Sequence, residues 1–451
     1  MADKTDTIVA IATPPGRGGI GVVRTSGPGV KNIMAGLVGQ KMAPRHARFC
    51  KFKNKNSEVI DEGVAIFFSS PSSYTGEDVL ELYAHGSRII LDHIVNRALE
   101  LGARMALPGE FTERAFLNNK LDLVQAEAVA DLVDAVSDHA ARGAIRSLEG
   151  EFSRRVNVLL EKLIKLRMFV EGGLDFPDED IDFIGAGNIS TILESCLSEL
   201  TDLFMRAKQG AVLKEGAIAV IVGQPNVGKS TLLNKLAGKE IAIVTEEPGT
   251  TRDLIEQVVL VDEIPVHIVD TAGLRATNNK AEKEGIARAQ AAAKNADILI
   301  IIYEYGQEPD TEEQALPYRP DDIERVIVLY NKIDLFGKQP EIKKGKSGHT
   351  EIFLSAKTGN GLELFTRHLK KILGVQDISD DVFMARSRHL DALARTRLLL
   401  EKALKQYGEN KAPEIFAEEL RLAQRALGEV TGEFVSDDLL GEIFSKFCIG
   451  K

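Results

Sequence analysis

One eight-residue run constrains what this chain can fold into more than any other: GQPNVGKS, Gly223 to Ser230. It matches G-x-x-x-x-G-K-[ST] in full, follows the apolar run AIAVIV and opens the helical run STLLNKLAG. A glycine-rich loop between a strand and a helix turns backbone N–H groups toward a phosphate at the helix N-terminus. Asn226, Val227, Gly228 and Thr231 are expected to line that cradle. Lys229 is expected to reach the β- and γ-phosphates, and the Ser230 hydroxyl to ligate Mg²⁺. From Ala217 to about Leu373 the text alternates strand, loop and helix, as a parallel α/β sheet requires.

Three shorter runs follow in order, each after a strand-like segment. DTAG supplies Asp270, Thr271, Ala272 and Gly273, with Asp270 placed to reach Mg²⁺ through water and the Gly273 N–H to sense a γ-phosphate. NKID supplies Asn331, Lys332 and Asp334, whose carboxylate can accept from guanine N1–H and N2–H₂, a donor pair that adenine lacks. SAK supplies Ser355, Ala356 and Lys357 on the guanine side. Together the four runs predict a GTPase. In Ras-like enzymes a glutamine that orients the attacking water follows DTAG. Here that position is Leu274, which can neither orient nor deprotonate water.

The rest of the chain has a different texture. At 451 residues, two or three domains are expected. TIVAIAT, GIGVVRT, GVAIFF and DVLELYAHG read as strands and SRIILDHIVNRALELG as a helix, so the first ~115 residues are α/β material. From about Lys120 a long amphipathic helical text begins, with almost no breakers. LDFPDEDIDF (174–183) interrupts it, read as a Pro-punctuated connection rather than a metal site. Helical periodicity resumes after the α/β block. The expected fold class is therefore α/β and all-α multidomain: an N-terminal α/β domain, a helical domain, and a Ras-like P-loop G domain inserted into the helical one. The expected boundaries are 1–118, 119–210, 211–376 and 377–451.

The net charge of −11 argues against nucleic-acid binding through bulk charge. The densest basic run, KMAPRHARFCKFKNKN (41–56), reads as the solvated face of a strand. No apolar run reaches the ~18 residues of a membrane span, and the N-terminal text lacks the pattern of a secretory signal. Cys50, Cys196 and Cys448 form no CxxC pair, which suits a cytoplasmic setting. No G-x-G-x-x-G follows a strand, so no flavin site of that kind is expected.

GQPNVGKS, TEEPGTTRD (245–253), DTAGLR and the terminal CIGK (448–451), with TPPGRGGIGVVRTSG, SYTGEDVLELYAHG and PGEFTERAFLNNKLDLVQAEA, together resemble the MnmE (TrmE) family of tRNA modification GTPases, among the TrmE-Era-like P-loop GTPases. The resemblance runs from end to end. It implies a G domain that dimerises face to face with potassium and GTP bound, the ion standing where an arginine finger would place its charge. Asn226 matches the side-chain potassium ligand, and Thr245, Glu247 and Thr250 match the potassium loop, which also holds Glu246, Pro248 and Gly249. Thr251 matches the switch threonine on Mg²⁺, and Glu282 the catalytic glutamate that acts through a bridging water. Without the resemblance, Glu282 reads as a solvated acid beside Lys280, Lys283 and Glu284.

For the N-terminal domain the resemblance implies a constitutive dimer contact and binding of a 5-formyl- or 5,10-methylene-tetrahydrofolate. Arg24, Glu81, Lys120 and Lys451 match the folate contacts. Cys448 has three readings: a prenylation box, for which terminal Lys is unusual, a buried structural thiol, or a group near the folate with a possible chemical role. The implied activity is modification of C5 of the wobble uridine of certain tRNAs by an aminomethyl or carboxymethylaminomethyl group. The implied partner is the FAD-dependent MnmG (GidA), in a heterotetramer or larger complex. Two rival readings share the GTPase motifs: a GTP-switched ribosome-assembly factor, which should carry an RNA module such as KH, and a dynamin-like membrane scaffold, which should carry a lipid-binding helix.

Overall fold

The computed structural model describes residues 6–175, 186–237, 256–262, 264–270, 296–307, 323–375, 382–408 and 413–450. The chain divides into two compact units. One comprises Met1–Ala130, Ser147–Leu197 and Arg395–Lys451, the other Asp131–Arg146 and Ser198–Ala394.

The first unit opens with β1 (Thr7–Ile11), β2 (Gly18–Ser26), α1 (Val30–Val38), β3 (Arg48–Lys53), β4 (Val59–Phe68), β5 (Val79–Gly86), α2 (Arg88–Glu100), β6 (Ala103–Met105) and α3 (Glu110–Leu117). The sheet order is β3-β4-β5-β2-β1-β6. Its pairings are antiparallel except β1 with β6. Period-2 alternation sorts β5: Leu80, Leu82 and Ala84 enter the core with α1 and α2, while Glu81 and Tyr83 face the other side. Arg24 of β2 lies directly across from Glu81. The basic run 41–56 holds β3, an edge strand that exposes Arg48, Phe49 and Lys51 and buries Phe52, with Lys51 3.2 Å from Glu62 of β4. That is the solvated strand face its composition suggested.

The helical text after Lys120 is less continuous than its periodicity predicts. It forms α4 (Leu123–Asp134), α5 (Asp138–Leu148) and α6 (Glu151–Asp175). Ser137 restarts the chain as a helix by accepting from the Ala140 N–H at 3.2 Å. Gly150, at φ +83°, takes a left-handed turn that a helix cannot pass through. From residue 176 on, the acidic stretch 174–183 lies outside the described residues. After α7 (Ala186–Glu215) the second unit begins its own sheet.

That sheet holds β7 (Ala217–Gly223), β8 (Glu256–Val261), β9 (Ile264–Asp270), β10 (Ile298–Glu304), β11 (Val326–Asn331), β12 (Glu341–Lys344) and β13 (Thr350–Phe353), with helices α8 (Lys229–Ala237) and α9 (Leu362–Leu373). Its order is β12-β13-β11-β10-β7-β9-β8. The inner pairings are parallel, and only the edge strands β8 and β12 run antiparallel. A parallel strand covered on both faces is apolar where it is covered. The buried ILIII of β10 is: Ile298, Ile300 and Ile302 enter one core cluster, Leu299 and Ile301 the other.

The chain returns to helix in α10 (Ser387–Gly408), α11 (Pro413–Thr431) and α12 (Asp437–Ser445). In the first unit α6 packs on α11, where the Arg167 guanidinium donates to the Gln424 amide oxygen. Leu123, Ala126 and Ala130 of α4 pack against Leu440, Ile443 and Phe444 of α12 and against Phe447.

Candidate functional site

The glycine loop leaves the C-terminal end of β7, where ligands collect in parallel sheets. Asn226 (φ +66°) and Gly228 (φ +101°) both take left-handed backbone, which curls the loop before α8 starts at Lys229. Val227 is buried and anchors the loop, while Asn226, Ser230 and Thr231 are exposed. The Lys229 ammonium donates to the carbonyls of Gly223 (2.9 Å) and Gln224 (2.8 Å), so its charge is held on the loop itself.

The three described loops are tied by one buried side chain. Asn331, the last residue of β11, donates through Nδ2 to the Val227 carbonyl at 2.8 Å and accepts through Oδ1 from the Ala356 N–H at 2.9 Å. A Cβ on Gly228 would collide with that same amide, so the second glycine of the motif is dictated here by Asn331. Lys332, left-handed at φ +69°, ion-pairs with Glu304 at 2.6 Å. Asp334 then projects, exposed, from the turn Ile333–Phe336. Ser355 is fully buried and caps its loop by accepting from the Thr358 N–H at 3.2 Å, with Ala356 buried and Lys357 exposed beside it. Asp270 ends β9, in register with Ile221 of β7. Thr245 to Thr251, Thr271 to Gly273, Leu274 and Glu282 lie outside the described residues.

A second constellation sits on the far face of the first unit's sheet. Arg24 Nε donates to Glu81 Oε1 at 2.8 Å, and the Tyr83 hydroxyl donates to Glu81 Oε2 at 2.8 Å. The Arg24 guanidinium lies 5.6 Å from the Tyr74 ring centroid and 5.7 Å from that of Phe111, and reaches the Gly450 carbonyl at 3.4 Å. The Gly109 N–H donates to the Cys448 carbonyl at 3.4 Å, which brings the CIG backbone onto this face. Cys448 is exposed, which removes the reading of a buried thiol. Lys120 donates to Pro71 O at 3.2 Å, in the loop that carries Tyr74. Lys451 lies outside the described residues. Burial raises the Tyr74 pKa, and its hydroxyl shares a 2.9 Å hydrogen bond with Thr112.

Sequence reasoning passed over Tyr74 and Phe111, whose types and spacing are those of ordinary core residues. It also passed over the charged lattice beneath them. Glu110, 1% exposed, accepts from Arg104 at 2.6 Å and Arg114 at 2.9 Å; Arg114 reaches Asp6 at 2.6 Å and Glu77 at 3.1 Å. Burial would raise the Glu110 pKa, but hydrogen bonds from Arg104, the Leu107 N–H and Arg114 outweigh it and hold the carboxyl below its usual range. The one local hint was the i,i+4 spacing of Glu110 and Arg114 in EFTER. Among the described residues no His, Cys, Asp and Glu side chains gather as a metal cluster, and no helix is long and apolar enough to cross a membrane.

Known proteins align with this arrangement over its whole length. The profile of the GTP-binding protein TrmE N-terminus matches residues 7–120, and that of the MnmE helical domain matches residues 123–448. The tRNA modification GTPase MnmE of Coxiella burnetii (strain Dugway 5J108-111) is 49% identical over 449 residues, covering 99% of each chain. That of Legionella pneumophila subsp. pneumophila (strain Philadelphia 1) is 50% identical over 451 residues, again covering 99% of each. Among solved structures, the G domain of the T. maritima FeoB iron transporter is 26% identical with a TM-score of 0.25, covering 35% of this chain and 98% of that one. With profiles matching on both sides of residue 120 and relatives aligned end to end, the chain belongs to the MnmE family of tRNA modification GTPases.

Proposed function

We propose that this GTPase is potassium-activated and works as a homodimer with the FAD-dependent MnmG. Together they would add an aminomethyl or carboxymethylaminomethyl group to C5 of the wobble uridine of certain tRNAs, in the cytoplasm. The one-carbon unit would come from a 5-formyl- or 5,10-methylene-tetrahydrofolate. The domain limits that go with this reading are 1–118, 119–210, 211–376 and 377–451.

The observation that carries the nucleotide half is the Asn331 bridge. One amide fixes the phosphate loop to the guanine loops, so base and phosphate contacts are aligned before GTP arrives. Asp334 would accept from guanine, with Asn331, Lys332, Ser355, Ala356 and Lys357 around the base, and Lys229 would sit on the β- and γ-phosphates. The exposed Ser230 hydroxyl in the first turn of α8 has the oxygen chemistry Mg²⁺ prefers, with Thr251 as the second ligand. The exposed Asn226 carboxamide suits potassium, with Thr245, Glu247 and Thr250 completing its loop. The ion would supply positive charge where charge develops in the transition state. Glu282 would orient the water whose oxygen attacks the γ-phosphorus as the bond to GDP breaks, and Leu274 would take no part.

On the N-terminal sheet, Arg24 and Glu81 offer a paired donor and acceptor for the amide-like edge of a pterin or for an anionic tail, with the Tyr74 and Phe111 rings beside them. Lys120 and Lys451 would add positive charge, and the exposed Cys448 thiol is held nearby by its own carbonyl. Nucleoside analysis of tRNA from a strain lacking the protein tests the reading directly. Loss of the C5-modified wobble uridine is expected, and an intact modification would overturn it.

A further inference from the structure

A chain of net charge −11 repels RNA as a whole, so an acidic protein that acts on tRNA needs a locally basic surface. Such a surface lies at the β12 edge of the second unit's sheet. Residues 338–371 carry eight lysines and arginines against three glutamates. All of β12 is exposed, as are Lys346, Arg367 and Lys371. Lys344 and Lys371 converge near His368 of α9, whose pKa is pushed down by burial and then by these two cations.

Aromatic rings continue this face. Tyr305 meets Phe336 edge-to-face at 5.4 Å and Phe353 at 5.8 Å. Lys338 lies 4.5 Å and Lys343 4.7 Å from the Phe353 centroid, both over one ring. Glu341 and Glu351 hold these two lysines, at 3.0 and 3.3 Å, so their direction is set. Phe336 stays 56% exposed, with one edge against Tyr305. Phe353 itself is buried, and the open ring, Phe336, joins it through Tyr305. Lysines on an exposed strand edge with an open ring on the same face are what a single-stranded nucleic acid needs: charge for the backbone, a π-face for a base. The other basic run, 41–56, also carries an open ring, Phe49, but it is less suited: with the acids that follow it, residues 41–62 hold six lysines and arginines against three acids, a lower excess than at the β12 edge.

We propose that the β12 edge, with Lys343, Lys344, Lys346, Lys371 and Phe336, binds an unpaired segment of the tRNA, phosphates on the lysines and one base on Phe336. This rests on the proposed tRNA reading and adds to it the part of the G domain that touches the RNA.

The test is anisotropy titration of the full-length protein with an unmodified tRNA transcript at several salt concentrations. Lys344→Gln/Lys346→Gln/Lys371→Gln is expected to weaken binding and to flatten the log–log salt slope by roughly 2. Phe336→Ala is expected to weaken binding about 10-fold without changing that slope. GTP affinity should stay as in wild type in both, which reports that the G domain is folded. Wild-type binding with both variants indistinguishable from it would overturn the surface while leaving the tRNA reading intact. If those variants self-associate instead, the lysines only guard a strand edge, and the proposal falls. No binding by wild type would sink both readings. Displacement of the RNA by polyglutamate of equal charge at equal concentration would assign the surface to an acidic protein and overturn the RNA assignment.

Discussion

The side chain of Asn331 spans Val227 and Ala356, donating to the carbonyl of one and accepting from the N–H of the other. The P-loop and the SAK loop are 129 residues apart in sequence at these two contacts. Asn331→Ala would strand a buried carbonyl and a buried N–H, each costing about 1–3 kcal/mol. Loss of both loop alignments should lower GTP affinity by about 10-fold or more and lower the midpoint of urea unfolding. Nucleotide titration with a denaturation curve checks it; wild-type affinity in the mutant would show that the bridge is ornamental.

The lattice around Glu110 makes acid stability testable. Burial acts to raise the Glu110 and Asp6 pKa values, but arginine hydrogen bonds prevail and both end below their ordinary range. A carboxylate held lower in the folded state stabilises the fold above its unfolded pKa of about 4 and loses that contribution as pH falls through the folded value. Glu110→Gln should therefore cost about 3 kcal/mol at pH 7, because Arg104 and Arg114 lose a buried partner. The gap from wild type should shrink below pH 4. Urea titrations across that range measure it, and a gap that stays constant would mean Glu110 does not titrate with folding.

What could be read in the sequence was whatever backbone geometry forces into residue types. GQPNVGKS, NKID and SAK could be found because a positive φ, a close approach or a buried amide leaves few choices, as at Gly228 against Asn331. Strands β1, β2, β4 and β5 could be found from their apolar runs. The breaks at Ser137 and Gly150 were hidden in text of helical period, since one residue in a left-handed turn does not disturb the hydrophobic count. Tyr74 and Phe111 carry no polar mark of their role beside Arg24. The Asp6–Arg114–Glu77 contacts join residues from distant parts of the chain, and no local pattern records such pairs.

Arg24→Ala should weaken tetrahydrofolate binding and leave basal GTP hydrolysis nearly untouched. The Arg24 guanidinium touches Glu81, Gly450, Tyr74 and Phe111, none of which belongs to the nucleotide loops. Tyr74→Phe keeps the ring beside the cation and loses only the Thr112 hydrogen bond, so it should bind folate within a few-fold of wild type. Calorimetric titration with 5-formyl-tetrahydrofolate distinguishes the two. Equal binding by Arg24→Ala and wild type would remove Arg24 from the site.

The last prediction concerns the water that Leu274 cannot hold. If hydrolysis depended on that position, Leu274→Gln should raise the rate and Glu282→Ala should do little. The reverse is expected for Glu282. On the proposed reading, removing its carboxylate takes away the group that orients the water and leaves Lys229, Ser230, Asn331 and Asp334 in place. GTP affinity should then stay near wild type while single-turnover hydrolysis at saturating GTP and potassium falls by about 10²-fold or more. Replacing potassium by sodium at equal ionic strength should lower the wild-type rate, and Asn226→Ala should erase that difference. In Glu282→Ala the potassium-dependent association of G domains should persist, because the proposed ligands of the ion are untouched. A folding defect would instead lower binding and hydrolysis together. Hydrolysis at the wild-type rate by Glu282→Ala would mean that another group, still to be found, positions the water.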